Sequence, residues 1–493
     1  MSTSYYSAAL PEAVHRAAVE HLVRKDGQED LCFGLWYPSV GERRMSGLVA
    51  ELLLPHDRER RVHGNASFLP HYFERALHAA VEAGAGLAFF HSHPGPGWQG
   101  MSNDDVVAEK SHAAAVKGAT GLPFLGLTIG TDGAWSARFW EKTAPRVYER
   151  RWCSLVRVVG EQLRLTYNDA LLPVPSFKEA LSRTVSAWGP KAQADLARLT
   201  VGVIGAGSVG YLVAENLART GIARVKLIDF DSVETVNLDR LLFATPEDAR
   251  KLRAKVSVLA RALKQSATAD HFQVDAIEFS IAEEEGFRAA LDCDVLFSCV
   301  DRPWPRQILN FIAYAHLIPV VDGGIQITTT SRGTLKEADW RAHIVSPERR
   351  CLECLGQYDP GMVSTDRDGY FDDPRYIAGL PSTHLIRRNE NVFAFSMNVA
   401  GLEMLQFLKM VVAPMGFANA GEQLYHFVPG IFEEPEFHTC KAGCVYPGLT
   451  AKGDRSGVTV TGRHPAAEKA RDRRRPPRGT FWNRISRSFG RTR

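Results

Sequence analysis

The sequence predicts an α/β multidomain protein, and three observations carry that expectation. At 493 residues the chain exceeds what one hydrophobic core ordinarily organises, so two to three domains are expected. A first stretch, to about residue 165, alternates short apolar strands with helical patterns. A second opens at Leu199 with an apolar strand, a glycine-rich turn and a helix, the start of a βαβ region running to about 330.

In the first stretch the strands are predicted at 31–37, 48–54, 87–93 and 124–129, with a helix over 70–83. The segment LTYNDALLPVPSFKEA, with Pro173 and Pro175, reads as a connector. Residues 355–390, rich in Asp, Gly, Pro and Arg, predict a long loop, and an apolar helix is predicted over about 392–412. The expected boundaries are 1–165, a linker with leading helices at 166–195, a second catalytic unit at 196–450, and a tail at 451–493.

Hydrophobic residues at 45% and charged residues at 23% are the balance of a soluble globular chain. No apolar run approaches the ~20 residues of a membrane helix; the stretch 48–54 is interrupted by Glu51. The opening MSTSYYSAALPE has no basic start followed by an apolar run, so a cytoplasmic protein is expected. The net charge of +3 hides an asymmetry: residues 463–493 carry about +9 and the remainder about −6. Nucleic-acid binding by the body of the protein is therefore not supported. The tail, polar with Pro476 and Pro477, is expected to be a solvated, disordered segment that docks an acidic partner. Phe481, Trp482, Ile485 and Phe489 lie loosely on one face of it, which keeps membrane or nucleic-acid contact as the alternative.

The sharpest local signal is GLAFFHSHPGPGWQGMSNDD. A strand's period of two places His91 and His93 on one side, Pro94 and Gly95 end the strand, and Gly97 and Gly100 let the chain turn back. Ser102 and Asp105 then open a helix. Two neutral imidazoles and a carboxylate suffice to hold Zn²⁺ with a fourth position left for water, whose pKa falls toward neutrality. The bland reading makes both histidines strand residues and Ser102 a helix cap.

H-S-H-P followed by S-x-x-D closely resembles the JAMM (MPN+, JAB) metalloprotease family, over roughly residues 1–150. The resemblance implies a cytidine-deaminase-like α/β domain with His91, His93 and Asp105 as zinc ligands and Ser102 stabilising the oxyanion. The spacer before Ser102 is one residue longer than the commonest form, which leaves Asp104 beside Asp105 as the carboxylate ligand. A general base is also required; the family places a Glu on an early strand, and Glu29 in QEDLCFGLWYP fits best, with Asp30 and Glu51 as alternatives.

In the second stretch Gly205, Gly207 and Gly210 permit a tight turn and close approach to phosphate at a helix N-terminus. Asp229, ending the next strand, suits ribose, and to this point a dehydrogenase fits equally well. DFDSVETVNLDR, then Lys255, then VLFSCVDRPWPR resembles the E1/ThiF adenylyltransferase family, with its Rossmann-like domain. The resemblance implies ribose binding by the D-x-D pair Asp229 and Asp231, triphosphate contacts by Asn237, Arg240 and Lys255, and Mg²⁺ at Asp301. Arg183 matches an upstream Arg that in the family often reaches the partner protomer's site, so a homodimer is expected. Leu241 and Arg302 stand where the family usually has Gln and Asn.

Eight cysteines are present, four of them in two close pairs far apart in sequence. In a reducing compartment that spacing favours a metal over bridges. Cys351, Cys354, Cys440 and Cys444 would make a structural Cys₄ zinc site, as the family often has. None of the remaining cysteines (Cys32, Cys153, Cys293, Cys299) lies in 355–439, where a thioester-forming E1 cysteine is expected. The second unit is therefore expected to stop at the acyl-adenylate or to pass its product to a thiol elsewhere. Both resembled families act on the C-terminus of a β-grasp, ubiquitin-like protein. Together they imply a bifunctional enzyme of a bacterial conjugation-type pathway that uses ATP, Mg²⁺ and Zn²⁺, with an E2-like protein as a further partner. Sulfur-carrier activation, a non-catalytic scaffold and, last, an NAD oxidoreductase are the alternatives.

Overall fold

The computed structural model of the chain describes residues 5–63, 65–381, 384, 390–433 and 439–474. The chain opens with β1 (Tyr5–Pro11), α1 (Glu12–Leu22), β2 (Leu31–Val40) and β3 (Arg44–Leu53), then a small ribbon of β4 (Arg60–His63) and β5 (Asn65–Phe68). It continues with α2 (Pro70–Glu82), β6 (Gly86–Ser92), α3 (Asn103–Thr120) and the strands β7 (Phe124–Ile129), β8 (Trp135–Ala144), β9 (Val147–Val159) and β10 (Leu163–Tyr167). The large strands order as β1-β3-β2-β6-β7-β8-β9-β10, and β1 also pairs with the second half of β9, so the network closes on itself. Both faces of β2 are covered, which explains its unbroken apolar run LCFGLWYP. Pro70 starts α2, whose Tyr72, Ala76 and Ala80, four apart, form its buried stripe.

The second half begins with α4 (Ser182–Arg198), kinked at Gly189 and Pro190. The classical alternation follows: β11 (Thr200–Ile204), α5 (Ser208–Thr220), β12 (Arg224–Ile228), α6 (Pro246–Arg250), α7 (Lys255–Ser266), β13 (Gln273–Ile277), α8 (Glu284–Ala290), β14 (Val295–Ser298), α9 (Pro303–Ala315), β15 (Val320–Thr329) and β16 (Leu335–Val345). After these come α10 (Pro360–Arg367), α11 (Pro374–Gly379), α12 (Phe393–Val412), β17 (Gln423–His426), β18 (Ile431–Glu433) and α13 (Pro465–Arg474). The sheet order is β13-β12-β11-β14-β15-β16-β17-β18, parallel from β13 to β15 and antiparallel thereafter. Strand order reverses between β11 and β14, so the crevice at their carboxyl ends is the topological switch point where α/β sheets bind ligands.

The core runs through both halves. Ala9, Leu48 and Val159 from the first sheet pack in one cluster with Leu199, Val203, Phe297 and Phe407 from the second. Buried polar contacts cross the same junction, among them Ser39 Oγ with His316 Nδ1 at 2.8 Å and Ser346 Oγ donating to Gly160 O at 2.8 Å.

Two segments differ from expectation. The stretch predicted as a long loop contains α10 and α11, because Asp359 caps α10 and Arg302 ties the segment down through Asp366, Asp372 and Phe371 O. The tail expected to be disordered from 451 is ordered to 474: Ala451 is buried with its N–H on Tyr314 O at 3.0 Å, and α13 docks through arginines. Composition alone misreads such a helix, since its arginines meet carboxylates supplied by distant residues. Phe481, Trp482, Ile485, Phe489 and the rest of 475–493 lie outside the described residues. No helix among the described residues is long and apolar enough to cross a membrane.

Candidate nucleotide and metal sites

At the switch point, β11 ends in the turn bearing Gly205, Gly207 and Gly210, and the three glycines do different work. Gly205 has φ 96, and a Cβ there would come 2.5 Å from Cys299 O. At Gly210 a Cβ would come 2.0 Å from Gly205 O, so only glycine lets α5 pack this close to the turn. Gly207 is the opposite case: a Cβ would meet nothing within 4 Å, so its side faces open space at the helix N-terminus. No side chain caps α5, and the Ser208 hydroxyl is buried without a hydrogen-bond partner. A helix N-terminus with no side-chain cap beside open space is what an anionic phosphate requires, and the residues present fit one.

Around that cradle the neighbouring strand ends gather charge. Asp229 Oδ2 accepts Ala206 N–H and its Oδ1 accepts Asp231 N–H, each at 2.6 Å, so the carboxylate also shapes the glycine turn. Burial, with Asp231 adding to it, pushes Asp229 up to about 6, while Lys255 pulls the other way. Lys255, the first residue of α7, sets its Nζ 2.8 Å from Asp231 Oδ2. Burial works against its charge, yet Asp231, Asp229 and Asp301 together hold its ammonium above the usual lysine range. Asp301 follows β14, is exposed, and lies within electrostatic reach of Lys255.

Other expected residues are engaged locally. Asn237 Oδ1 accepts Glu234 N–H at 3.0 Å in a cap, and Arg240 donates to Val236 O at 2.7 Å and Asp239 at 2.8 Å. Both would have to release these contacts to meet a triphosphate. Arg183 is exposed in the first turn of α4, with no hydrogen bond or ion pair among the described residues.

In the first half, β6 ends at Ser92, and α3 returns so that His91, His93 and Asp105 offer three ligand atoms within 4.8 Å of one another. The two Nε2 atoms are 3.1 Å apart, against the about 3.3 Å of two imidazoles sharing a tetrahedral zinc. Asp105 reaches His91 at 3.6 Å and His93 at 3.3 Å, while Asp104 is exposed outside the trio. The donor chemistry fits a zinc ion with an open position. Ser102 and Asp105 also form a reciprocal cap: Asp105 N–H donates to Ser102 Oγ, and Ser102 N–H to Asp105 Oδ2. The Ser102 hydroxyl acts there as acceptor, which leaves its own proton to donate.

Glu29 borders the trio. Burial raises its pKa, His93 opposes that, and Asp105 adds to it, so the carboxyl is within electrostatic reach of both. Asp30 is instead held by Arg24 and Arg60, and Glu51 is exposed on β3. Beneath His91 lies an assembly that sequence reasoning missed. Arg138 and Glu109 are fully buried together, Trp140 Nε1 donates to Glu109 at 2.7 Å, and Arg138 also donates to Thr128, whose Oγ1 is 3.3 Å from His91 Nε2. Burial lowers the His91 pKa and Arg138 adds to that, against the pull of Asp105. Only the tertiary fold brings Glu109 to Arg138, so no local pattern announces the pair.

The four cysteines Cys351, Cys354, Cys440 and Cys444 also converge within 4.8 Å. Cys351 Sγ and Cys444 Sγ are 3.7 Å apart, close to the about 3.8 Å edge of a zinc–thiolate tetrahedron. Backbone N–H groups of Cys351, Cys354 and Lys441 point at Cys440, Cys351 and Cys354 sulfurs at 3.3–3.4 Å, which favours thiolates. Of the other cysteines, Cys32, Cys153 and Cys293 are buried, and burial pushes Cys293 up to about 12.

The ThiF family model matches residues 181–432, just over half of the chain. The chain belongs to the ThiF family. Its second half is thus a Rossmann-type adenylation domain of ThiF kind, to which the glycine turn, Asp229, Asp231, Lys255 and Asp301 all belong. Among curated relatives it is 32% identical over 135 residues to the sulfur carrier protein ThiS adenylyltransferase of Bacillus subtilis (strain 168), covering 27% of this chain and 40% of that protein. It is 30% identical over 145 residues to ubiquitin-like modifier-activating enzyme 5 of Drosophila willistoni, covering 27% and 34%. The ThiF chain thus spans less than half the length of these relatives. Among solved structures it resembles E. coli MccB with ATP at 17% identity and a TM-score of 0.42, over 55% of this chain and 74% of that one.

Proposed function

We propose that the second half adenylates the C-terminal carboxylate of a ubiquitin-like, β-grasp protein, and that the first half is a JAMM-type zinc isopeptidase acting on the same terminus. The observation that carries the first activity is the gathering of an uncapped helix N-terminus, Asp229, Lys255 and Asp301 at one switch point in a ThiF-family chain. In the reaction, a carboxylate oxygen attacks the α-phosphorus of ATP, and the bond to the leaving pyrophosphate breaks. Charge grows on the phosphate oxygens, and Lys255 with the α5 N-terminus offsets it. Asp301 would hold Mg²⁺, which would supply positive charge against the charge that grows on the phosphate. Arg183, exposed and unengaged, would serve the site of a second copy, so a homodimer belongs to the proposal.

For the first half, His91, His93 and Asp105 would hold zinc, which when bound supplies Lewis acidity and an acidified water. Glu29, its pKa raised, suits taking a proton and returning it to the leaving amine. Ser102, its hydroxyl proton uncommitted, would donate to the oxyanion. The pair of activities would mature a precursor or reverse a conjugate, and then activate the exposed glycine, with an E2-like protein as acceptor.

The test is pyrophosphate exchange with a panel of purified β-grasp proteins ending in glycine. Exchange should require one of them and vanish in Asp301→Ala. Sulfur-carrier activation is the second reading, favoured by the similarity to the ThiS adenylyltransferase. Its mark is a partner recovered as thiocarboxylate rather than as an amide-linked conjugate.

A further inference from the structure

Beyond Gly457 the chain crosses the carboxyl edge of the second sheet and ends, within the described residues, in α13. Val460 O accepts Trp304 Nε1–H at 3.1 Å, and Gly462 N–H donates to Ala282 O at 2.8 Å. Arg471 makes a paired contact with the Glu283 carboxylate at 2.5 and 2.7 Å and donates to Glu278 O at 3.2 Å. Arg474 donates to Phe230 O at 2.9 Å and Ser232 Oγ at 2.8 Å, and its Nε to Glu278 at 3.1 Å. The arm therefore touches the segments that follow β12 and β13 and, through Trp304, the first turn of α9 after β14; β14 lines the switch point and β12 lies beside β11.

These anchors are specific, and they are not the product of an apolar face. Ala467 is the one fully buried residue of α13 among those described, so arginine contacts do the holding. Arg474 bonds the loop on both sides of Asp231, at Phe230 and Ser232, immediately after Asp229. His464 sits between the Phe230 and Trp304 rings, at 4.9 and 5.6 Å, within electrostatic reach of Asp231, Asp372 and Arg302. Its Nδ1 is buried with no hydrogen-bond partner.

We infer that the arm formed by residues 457–474 is a working wall of the nucleotide pocket, and that Arg474 is a positioning residue for the loop bearing Asp229 and Asp231. The inference rests on the adenylation reading. Arg474 acts through backbone and hydroxyl contacts, so its loss should weaken nucleotide binding while the sheet stays folded.

The experiment measures MgATP binding to the full chain by calorimetry, for the wild type, Arg474→Ala, Arg474→Lys and Arg471→Ala. Arg474→Ala should weaken affinity about tenfold, the scale of one lost charge-assisted hydrogen bond, and Arg474→Lys should recover part of it. Hydrogen exchange of wild-type α13 amides should slow when MgATP is added, a readout that does not depend on any variant folding. Wild-type affinity in both alanine variants, or α13 exchange indifferent to MgATP, overturns the inference. A wild-type chain that fails to bind MgATP overturns the adenylation reading itself, and the inference with it.

Discussion

Arg44, at the start of β3, and Asp294, just before β14, form a buried ion pair that joins the two sheets. Arg44 also donates to Leu291 O at 2.8 Å and to Cys293 O, while the second Asp294 oxygen accepts Thr200 N–H at 2.9 Å. The same carboxylate thus anchors a first-half arginine and the first residue of β11, the strand that leads to the glycine turn.

Removing one partner of such a pair leaves the other charge buried and alone. Arg44→Ala should therefore destabilise the chain by about 3–5 kcal/mol, read as a lower urea midpoint. An unchanged midpoint would mean that this ion pair contributes nothing to holding the halves together.

The glycines of the phosphate turn should separate folding from binding. Gly210→Ala places a methyl 2.0 Å from Gly205 O and should lower the thermal midpoint. Gly207→Ala meets nothing in the protein, so it should fold as the wild type does and yet bind MgATP at least about tenfold more weakly. Equal binding by Gly207→Ala would remove phosphate from that space.

Much of this site was legible because its signals are local. Gly205, Gly207 and Gly210 lie within one turn, His91 and His93 are two apart on a strand, and the cysteine pairs are each within five residues. What stayed hidden depends on distant partners. The polar helix α13 reads as a solvated tail until Glu278 and Glu283 are placed beside its arginines. Arg138 and Glu109, ordinary surface types, are buried beneath His91 only because α3 and β8 meet there. The choice between Asp104 and Asp105 was likewise a matter of helix phase, which spacing alone left open.

Metal content gives a separate test. Purified chain should carry about two zinc ions. His91→Ala should lose one of them, along with roughly a hundredfold or more of any isopeptidase activity. Cys444→Ser should lose the other and lower the thermal midpoint, because Cys351 and Cys354 pack into the core around Tyr314 and Tyr358. A single zinc, lost with neither variant, would contradict both assignments.

Stability should fall in acid through a buried histidine at the junction. Burial, with Arg288 adding to it, holds His316 down at about 3 against an ordinary 6.5, while Ser39 bonds its Nδ1. As pH falls below 6.5 the unfolded chain takes up this proton and the folded chain does not, until about 3. Stability is therefore full above that window and is lost through it, by up to ~1.4 kcal/mol per pH unit for one such group. Urea unfolding at pH 7.5 and 5 should show the loss, and His316→Asn, which keeps a partner for Ser39, should flatten the slope. A variant with the wild-type slope would assign the loss to other groups.

The most direct measurement is ATP–pyrophosphate exchange by the full chain, with and without a β-grasp protein ending in glycine. Adenylation at the switch point predicts exchange that requires the partner protein's free terminal carboxylate and disappears in Asp301→Ala and Lys255→Ala. Exchange that persists in both variants, or none with any such partner although MgATP binds, would contradict it.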